Sequence, residues 1–163
     1  MAKRNIFEGG EFLVADIRPE DVFTPEEMTR EHKMILAAAS DFVKREITPN
    51  IAQIEEKSET LTRALLQTAG KIGLNGTDIP EAYGGEGLDK VSTCLVSDII
   101  GETASFAVSH SAHTGIGTLP IVYFGTHEQK KKYLPKLASG EWMAAYCLTE
   151  PNAGSDALNA QTT

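Results

Sequence analysis

Tyr146-Cys147-Leu148-Thr149-Glu150-Pro151-Asn152-Ala153-Gly154-Ser155-Asp156 is the most telling stretch of this 163-residue sequence. It starts inside a compact apolar and aromatic run, Trp142 to Leu148, bounded by Gly140 and Pro151, whose length predicts a strand covered on both faces. The strand ends in a hydroxyl (Thr149), a carboxylate (Glu150) and a proline-directed turn. A loop of small residues follows, carrying a second hydroxyl (Ser155) and a second carboxylate (Asp156). Backbone amides fixed at the end of a strand, with hydroxyls beside them, are suited to hold the polar edge of a flat ligand. A bare turn accounts for the proline, glycine and aspartate but not for that set of polar side chains.

Upstream of the strand the period is helical. Thr24-Pro25-Glu26-Glu27 reads as a capping box with proline at the first helical position, opening a helix of about six turns on Met28, Ile35, Ala38, Ala39, Phe42 and Val43 until Pro49 interrupts it. A short turn with Ile51 and Ile54 follows, then a helix on Leu61, Leu65, Ala69 and Ile72 that Gly70 and Gly73 loosen at its end. Gly76 to Gly87, with Pro80 and four glycines, reads as an ordered loop around Ala82-Tyr83-Gly84. Helix resumes near Asp89 with Val91, Leu95, Ile99 and Thr103 along one stripe. Val108, Ala112, Ile116, Leu119 and Val122 suggest a fifth helix, weakened by Gly115, Gly117 and Pro120. Thr126-His127-Glu128-Gln129 is a further capping box, and its helix carries Tyr133, Leu134 and Leu137 and stops at Gly140. The predicted strand has no partner within the chain, and a lone strand does not hold itself in water, so the sequence is expected to be one portion of a longer polypeptide.

Composition narrows the function classes. Apolar residues make up 41% and charged residues 23%, and 23 acidic against 15 basic residues give a net charge of -8, which opposes non-specific attraction to nucleic acid or anionic lipid. No window approaches the roughly 20 apolar residues of a membrane span, and Met1 to Leu13 lacks the features of a signal or transit segment, so a cytoplasmic protein is expected. Cys94 and Cys147 are far apart without a CxxC spacing. They predict neither a disulfide framework nor a zinc site, and are expected to be buried as small apolar side chains. His110 and His113 share an i,i+3 spacing but no third ligand position matches them, so no metal site is expected. Lys130-Lys131-Lys132 with Lys136 reads as a solvated helix face. The sequence contains no GxGxxG, no P-loop and no GxSxG elbow.

The residues from Tyr146 to Asp156 closely resemble the first signature of the acyl-CoA dehydrogenase family, in which a small residue or cysteine, an aliphatic, Thr-Glu-Pro and Gly-Ser-Asp follow one another. Tyr83-Gly84-Gly85, Gly125 with Gln129-Lys130-Lys131-Lys132-Tyr133-Leu134-Pro135, and the order of the helices extend the resemblance over nearly the whole chain. Tyr133 to Thr149 looks most like long- and very-long-chain members. The resemblance implies an all-α chain: an arm (1–23), an antiparallel helical bundle (24–140), and from 141 to 163 the first strand or strands of a middle β domain that continues, with a C-terminal four-helix domain, outside this sequence.

It also implies a flavoenzyme of fatty acid β-oxidation that uses FAD to dehydrogenate acyl-CoA thioesters between the α and β carbons. By residue correspondence, the backbone of Tyr146 and Leu148 and the hydroxyl of Thr149 would face the pyrimidine edge of FAD, and Ser155 would meet the CoA part of the substrate. The family's catalytic glutamate belongs to the C-terminal domain, so no catalytic residue is expected here, Glu150 is expected to serve structure, and the chain alone should be inactive. The implied partners are acyl-CoA, an electron-transfer flavoprotein and further copies of the complete chain. Small residues of the fifth helix, Ala107, Ser109, Ser111, Ala112 and Gly115, would line the acyl pocket and favour medium to long chains. The competing readings are a flavoprotein oxidase of the same fold and a non-catalytic helical interaction module.

Overall fold

Seven α-helices joined by tight 3-10 and π turns account for most of residues 10–162, which the computed structural model describes. The predicted arm lies partly outside these residues. Its described part carries 3-10 turns at Glu11–Leu13 and Pro19–Asp21.

The first helix begins later than the sequence predicts. The Thr24 box does form, with the Thr24 amide donating to Glu27 Oε2 at 2.9 Å, but it closes only the 3-10 turn Pro25–Glu27 before Met28 turns extended (ψ 121). A second box then opens α1 (Arg30–Phe42): the His32 amide donates to Thr29 Oγ1 at 3.1 Å and the Thr29 amide to His32 Nδ1 at 3.2 Å, a histidine standing in the usual glutamate position. The far ring nitrogen of His32 lies 2.9 Å from Asp89, which caps α4 (Lys90–Gly101) through the Ser92 amide, so one side chain joins two helix starts.

Pro49 ends α1 through its missing N–H, which widens the ladder ahead of it. Val43–Ile47 becomes a π turn, the Thr48 amide and hydroxyl both donating to the Val43 carbonyl and Asn50 Nδ2 donating to the Glu46 carbonyl. Beyond it lie α2 (Ile51–Glu55) and α3 (Glu59–Lys71). A glycine-rich loop returns to α4, followed by α5 (Ser105–Ser111), a second π turn (Ala112–Gly117), α6 (Leu119–Phe124) and α7 (His127–Ala138).

Helix α1 packs on α4, α2 and α3 pack on α5, and α6 packs on α7. The main core holds Phe42, Ile47, Ile54, Leu65, Leu66, Val96, Ile100 and Phe106, and a smaller one joins Ile79, Leu134, Leu137 and Ala138. Two predicted stripes are corrected. On α4 the buried residues are Ser92, Val96 and Ile100, one position on from the predicted Val91, Leu95 and Ile99. On the fifth helical stretch Phe106, His110, His113 and Thr118 face inward, while Val108 is 72% and Ile116 55% exposed. His113 and Thr118 enter the core there with their polar atoms bonded, since a satisfied hydroxyl or imidazole costs little to bury, whereas His110 Nε2 has no partner among the described residues.

The predicted strand is also corrected: among the described residues no strand forms, and 143–149 runs as extended chain without a ladder, since the described residues offer it no neighbouring strand. Both cysteines, expected to be buried, are exposed; Cys94 lines a groove beside α4 with Met28 and Val91, and Cys147 sits on the extended segment.

Candidate functional site

Helix α7 delivers the chain to the site. Its capping box is the predicted one, the Thr126 amide donating to Gln129 Oε1 at 2.7 Å. The helix stops at Gly140, whose φ of +73° suits the left-handed residue after a helix end; a Cβ there would lie 2.7 Å from the Leu66 carbonyl oxygen. The chain then reverses over the end of α7. Trp142 donates its amide to the Lys136 carbonyl at 3.1 Å, and its ring lies under the Lys136 ammonium, 4.3 Å away, and against Tyr133.

Ala144 is the last of the described residues hydrogen-bonded to the helices. Its amide donates to His113 Nδ1 at 3.0 Å, and His113 Nε2 in turn donates to the Leu137 carbonyl at 3.0 Å. His113 is 1% exposed, and burial holds its pKa below the ordinary value, which keeps the ring neutral. From Ala145 to Thr149 no backbone amide or carbonyl forms a hydrogen bond with another described residue. Tyr146 (52% exposed), Leu148 (42%) and Thr149 stand on this open edge.

The edge ends at a tight turn, Glu150 and Ala153 exchanging amide-to-carbonyl hydrogen bonds of 3.0 and 3.2 Å around Pro151 and Asn152. The Glu150 carboxylate accepts from the amides of Gln161 and Thr162, both at 2.9 Å, and these bonds hold its pKa below the usual carboxylate range. Glu150 is thus engaged in closing the loop. Ser155 lies exposed beyond the turn, so Tyr146, Leu148 and Thr149 share one segment and Ser155 belongs to the loop that follows.

Beside the start of this segment, Met143, Ser105, Ser109, Ile54, Lys57 and Arg63 line a cavity of about 280 Å³. Its rim includes the entry to α5, where Ala104 sits at φ +50°, a backbone region unfavourable for any residue with a Cβ. The Glu55 carboxylate secures that turn by accepting from the Ser105 hydroxyl and, at 3.0 Å, from the Ser105 amide, and its pKa is lowered accordingly, the hydroxyl bond contributing most. Among the described residues no three histidine, cysteine, aspartate or glutamate side chains converge to hold a metal ion, and no helix is long and apolar enough to cross a membrane.

The profile of the family described as "Acyl-CoA dehydrogenase, N-terminal domain" matches residues 29–141. The chain belongs to the acyl-CoA dehydrogenase family. A probable acyl-CoA dehydrogenase of Bacillus subtilis is 50% identical over 100% of the chain, and another acyl-CoA dehydrogenase of the same organism is 45% identical over 83%. Among solved structures, an acyl-CoA dehydrogenase complexed with FAD from Bacillus anthracis superposes with a TM-score of 0.89 at 52% identity, covering 95% of this chain and 26% of that one. The chain spans 28% and 36% of the two Bacillus subtilis relatives' lengths. Its helical architecture is that of the N-terminal domain of the acyl-CoA dehydrogenase fold.

Sequence reasoning missed His113 and Gly117. Both lie in the second π turn: the Thr118 hydroxyl donates to the His113 carbonyl at 2.6 Å, and a Cβ on Gly117 would lie 2.6 Å from Ala144 Cβ. The available signal was a histidine and a glycine four residues apart, which the sequence offered only as a weak metal pair and a helix defect.

Proposed function

We propose that this chain is the N-terminal portion of an FAD-dependent acyl-CoA dehydrogenase, with 24–140 as its helical domain and 141–163 as the start of its middle domain. The observation that carries the reading is the placement of Ala145 to Thr149 at the end of the helical bundle, tied to it through the Ala144 amide and closed at the other end by the Glu150 turn. A flavin's pyrimidine edge alternates carbonyl and N–H groups, so backbone amides and carbonyls at the end of a segment with the Thr149 hydroxyl beside them are complementary to it, and the residues present fit the group. Tyr146 and Leu148 bind that edge through their backbones and Thr149 through its hydroxyl, a donor placed where reduction adds negative charge. When bound, FAD supplies the acceptor for the β-hydrogen of an acyl-CoA thioester whose α-proton leaves to a carboxylate outside this chain.

The chain's own residues orient and enclose. Ser155, exposed on the loop, hydrogen-bonds the CoA part of the substrate, and the outward face of Val108, Ala112 and Ile116 meets the acyl tail with apolar surface. A tail-lining role explains why apolar side chains remain on the outside of a helical stretch that turns His110 and His113 inward. Medium to long acyl chains, a place in fatty acid β-oxidation, an electron-transfer flavoprotein as acceptor, a homo-oligomeric complete enzyme and a cytoplasmic location complete the proposal. Thr149→Val in the full-length enzyme tests it. Loss of one charge-stabilising donor slows the reductive half-reaction about tenfold to a thousandfold while FAD stays bound. Unchanged stopped-flow reduction at saturating acyl-CoA would remove Thr149 from the site.

A further inference from the structure

We infer that His113 is a positioning residue: its ring bridges the end of α7 to the Ala144 amide and thereby sets where the polar edge from Ala145 to Thr149 points. The inference rests on the reading of that edge as flavin-facing, and its geometry stands independently of it.

The bridge has a fixed polarity. Nδ1 accepts the Ala144 N–H, so it bears no proton, and Nε2 must carry the ring proton that it donates to the Leu137 carbonyl. Both nitrogens are committed, and with 1% of the residue exposed His113 meets neither substrate nor solvent. The Ala144 amide has no backbone partner among the described residues, and the Leu137 carbonyl, which also accepts the Gly140 amide at 3.1 Å, gives the ring a fixed point at the end of α7.

The π turn aims the ring. Ala112–Gly117 holds one residue more per turn than an α-helix, and the Thr118 hydroxyl closes it onto the His113 carbonyl at 2.6 Å. Gly117 then leaves the space into which Ala144 fits, since any Cβ there would meet Ala144 Cβ at 2.6 Å and its carbonyl carbon at 2.8 Å. Two separate features of one turn, a hydrogen bond and an absent side chain, thus serve the same residue of the segment.

Ala144 is also the last point of attachment before the flavin-facing residues. Tyr146 follows two residues later and Thr149 five residues later, and the next hydrogen bonds hold Glu150 and Ala153 to one another rather than to the helices. An extended chain advances about 3.3 Å per residue, so a tilt at Ala144 displaces the residues that follow it. Burial, which lowers the pKa of His113, supports the neutral tautomer that this arrangement needs.

The test uses the full-length protein carrying His113→Leu, His113→Asn and, separately, Gly117→Ala. Hydrogen exchange reports on peptides spanning 142–149, and the visible absorption band of bound flavin reports on its environment. His113→Leu and Gly117→Ala should raise exchange in 142–149 at least tenfold, leave α1 and α4 within twofold of the parent, and shift the flavin band. His113→Asn keeps an acceptor near the Nδ1 position and should restore both readouts. Unchanged exchange in 142–149, a uniform rise over all helices, or a loosened segment with an unmoved flavin band each overturns the inference. If His113→Leu does not accumulate as folded protein, Asn and Gly117→Ala decide: loosening by Asn, or none by Gly117→Ala, overturns it. Parent protein that retains no flavin would refute the proposed function, and the exchange measurement still determines on the same sample whether His113 holds the segment.

Discussion

Acidification should destabilise this protein before its carboxylates titrate, and His110 sets the size of the effect. The side chain is 4% exposed, its Nε2 has no hydrogen-bond partner among the described residues, and burial pushes its pKa down from 6.5 to about 4, with a smaller contribution from the nearby His113. A group whose native pKa is depressed binds fewer protons folded than unfolded across the interval between the two values. Stability therefore rises with pH between about 4 and 6.5, is level above it, and falls as pH drops through that window. At about 1.4 kcal/mol per pKa unit, the interval from 6.5 to about 4 amounts to roughly 3 kcal/mol for His110 alone. His113, lowered in the same direction, adds to it. His110→Leu replaces the imidazole with an apolar side chain of similar volume and removes the titration. Urea unfolding of the 163-residue chain, followed by far-UV circular dichroism at pH 7 and pH 4.5, should show a smaller acid-induced loss in the variant than in the parent by about 2 kcal/mol. The lowered carboxylates Glu55, Asp89 and Glu150 lose their contribution too as pH falls, but equally in both proteins. Identical losses in parent and variant would refute the assignment of a buried neutral His110.

Two further substitutions probe separate parts of the structure. Gly70→Ala on α3 places a Cβ 2.4 Å from the backbone of Ser139 at the end of α7, and because backbone cannot yield as a side chain can, a loss of about 3 kcal/mol is expected in thermal or urea unfolding; a neutral result contradicts that helix crossing. Ala112→Phe in the full-length enzyme, on the outward face of the fifth helical stretch, should penalise long acyl-CoAs selectively, since each methylene displaced from an apolar pocket forfeits about 0.8 kcal/mol. A uniform loss of activity across chain lengths, or none, removes Ala112 from the tail site.

The local signals were legible and the facing of the helices was less so. The Thr126 box, the Gly140 stop and the Pro49 interruption act within a few residues of chain, and each lies where the sequence puts it. The stripe Val108, Ala112 and Ile116 is apolar at helical spacing and yet faces outward, because periodicity marks a helix with an apolar face without naming what covers it. Its inward positions are held by His110, His113 and Thr118, and the partners of His113, the Leu137 carbonyl and the Ala144 amide, are distant in sequence. The segment after Gly140 carries the composition of a strand but not the ladder, which a strand acquires only from a neighbour. The Tyr146 to Asp156 signature was readable because its hydroxyl and carboxylate residues lie together in one short stretch of sequence.

Anaerobic titration of the purified full-length protein with acyl-CoAs of increasing chain length, read in the visible flavin absorption, decides whether it is a flavin-linked acyl-CoA dehydrogenase. The protein should purify yellow with bound FAD, and medium to long acyl-CoAs should bleach the flavin, whereas the matching free fatty acids and free CoA should not. A colourless protein, or a bound flavin that no acyl-CoA reduces, would contradict that function.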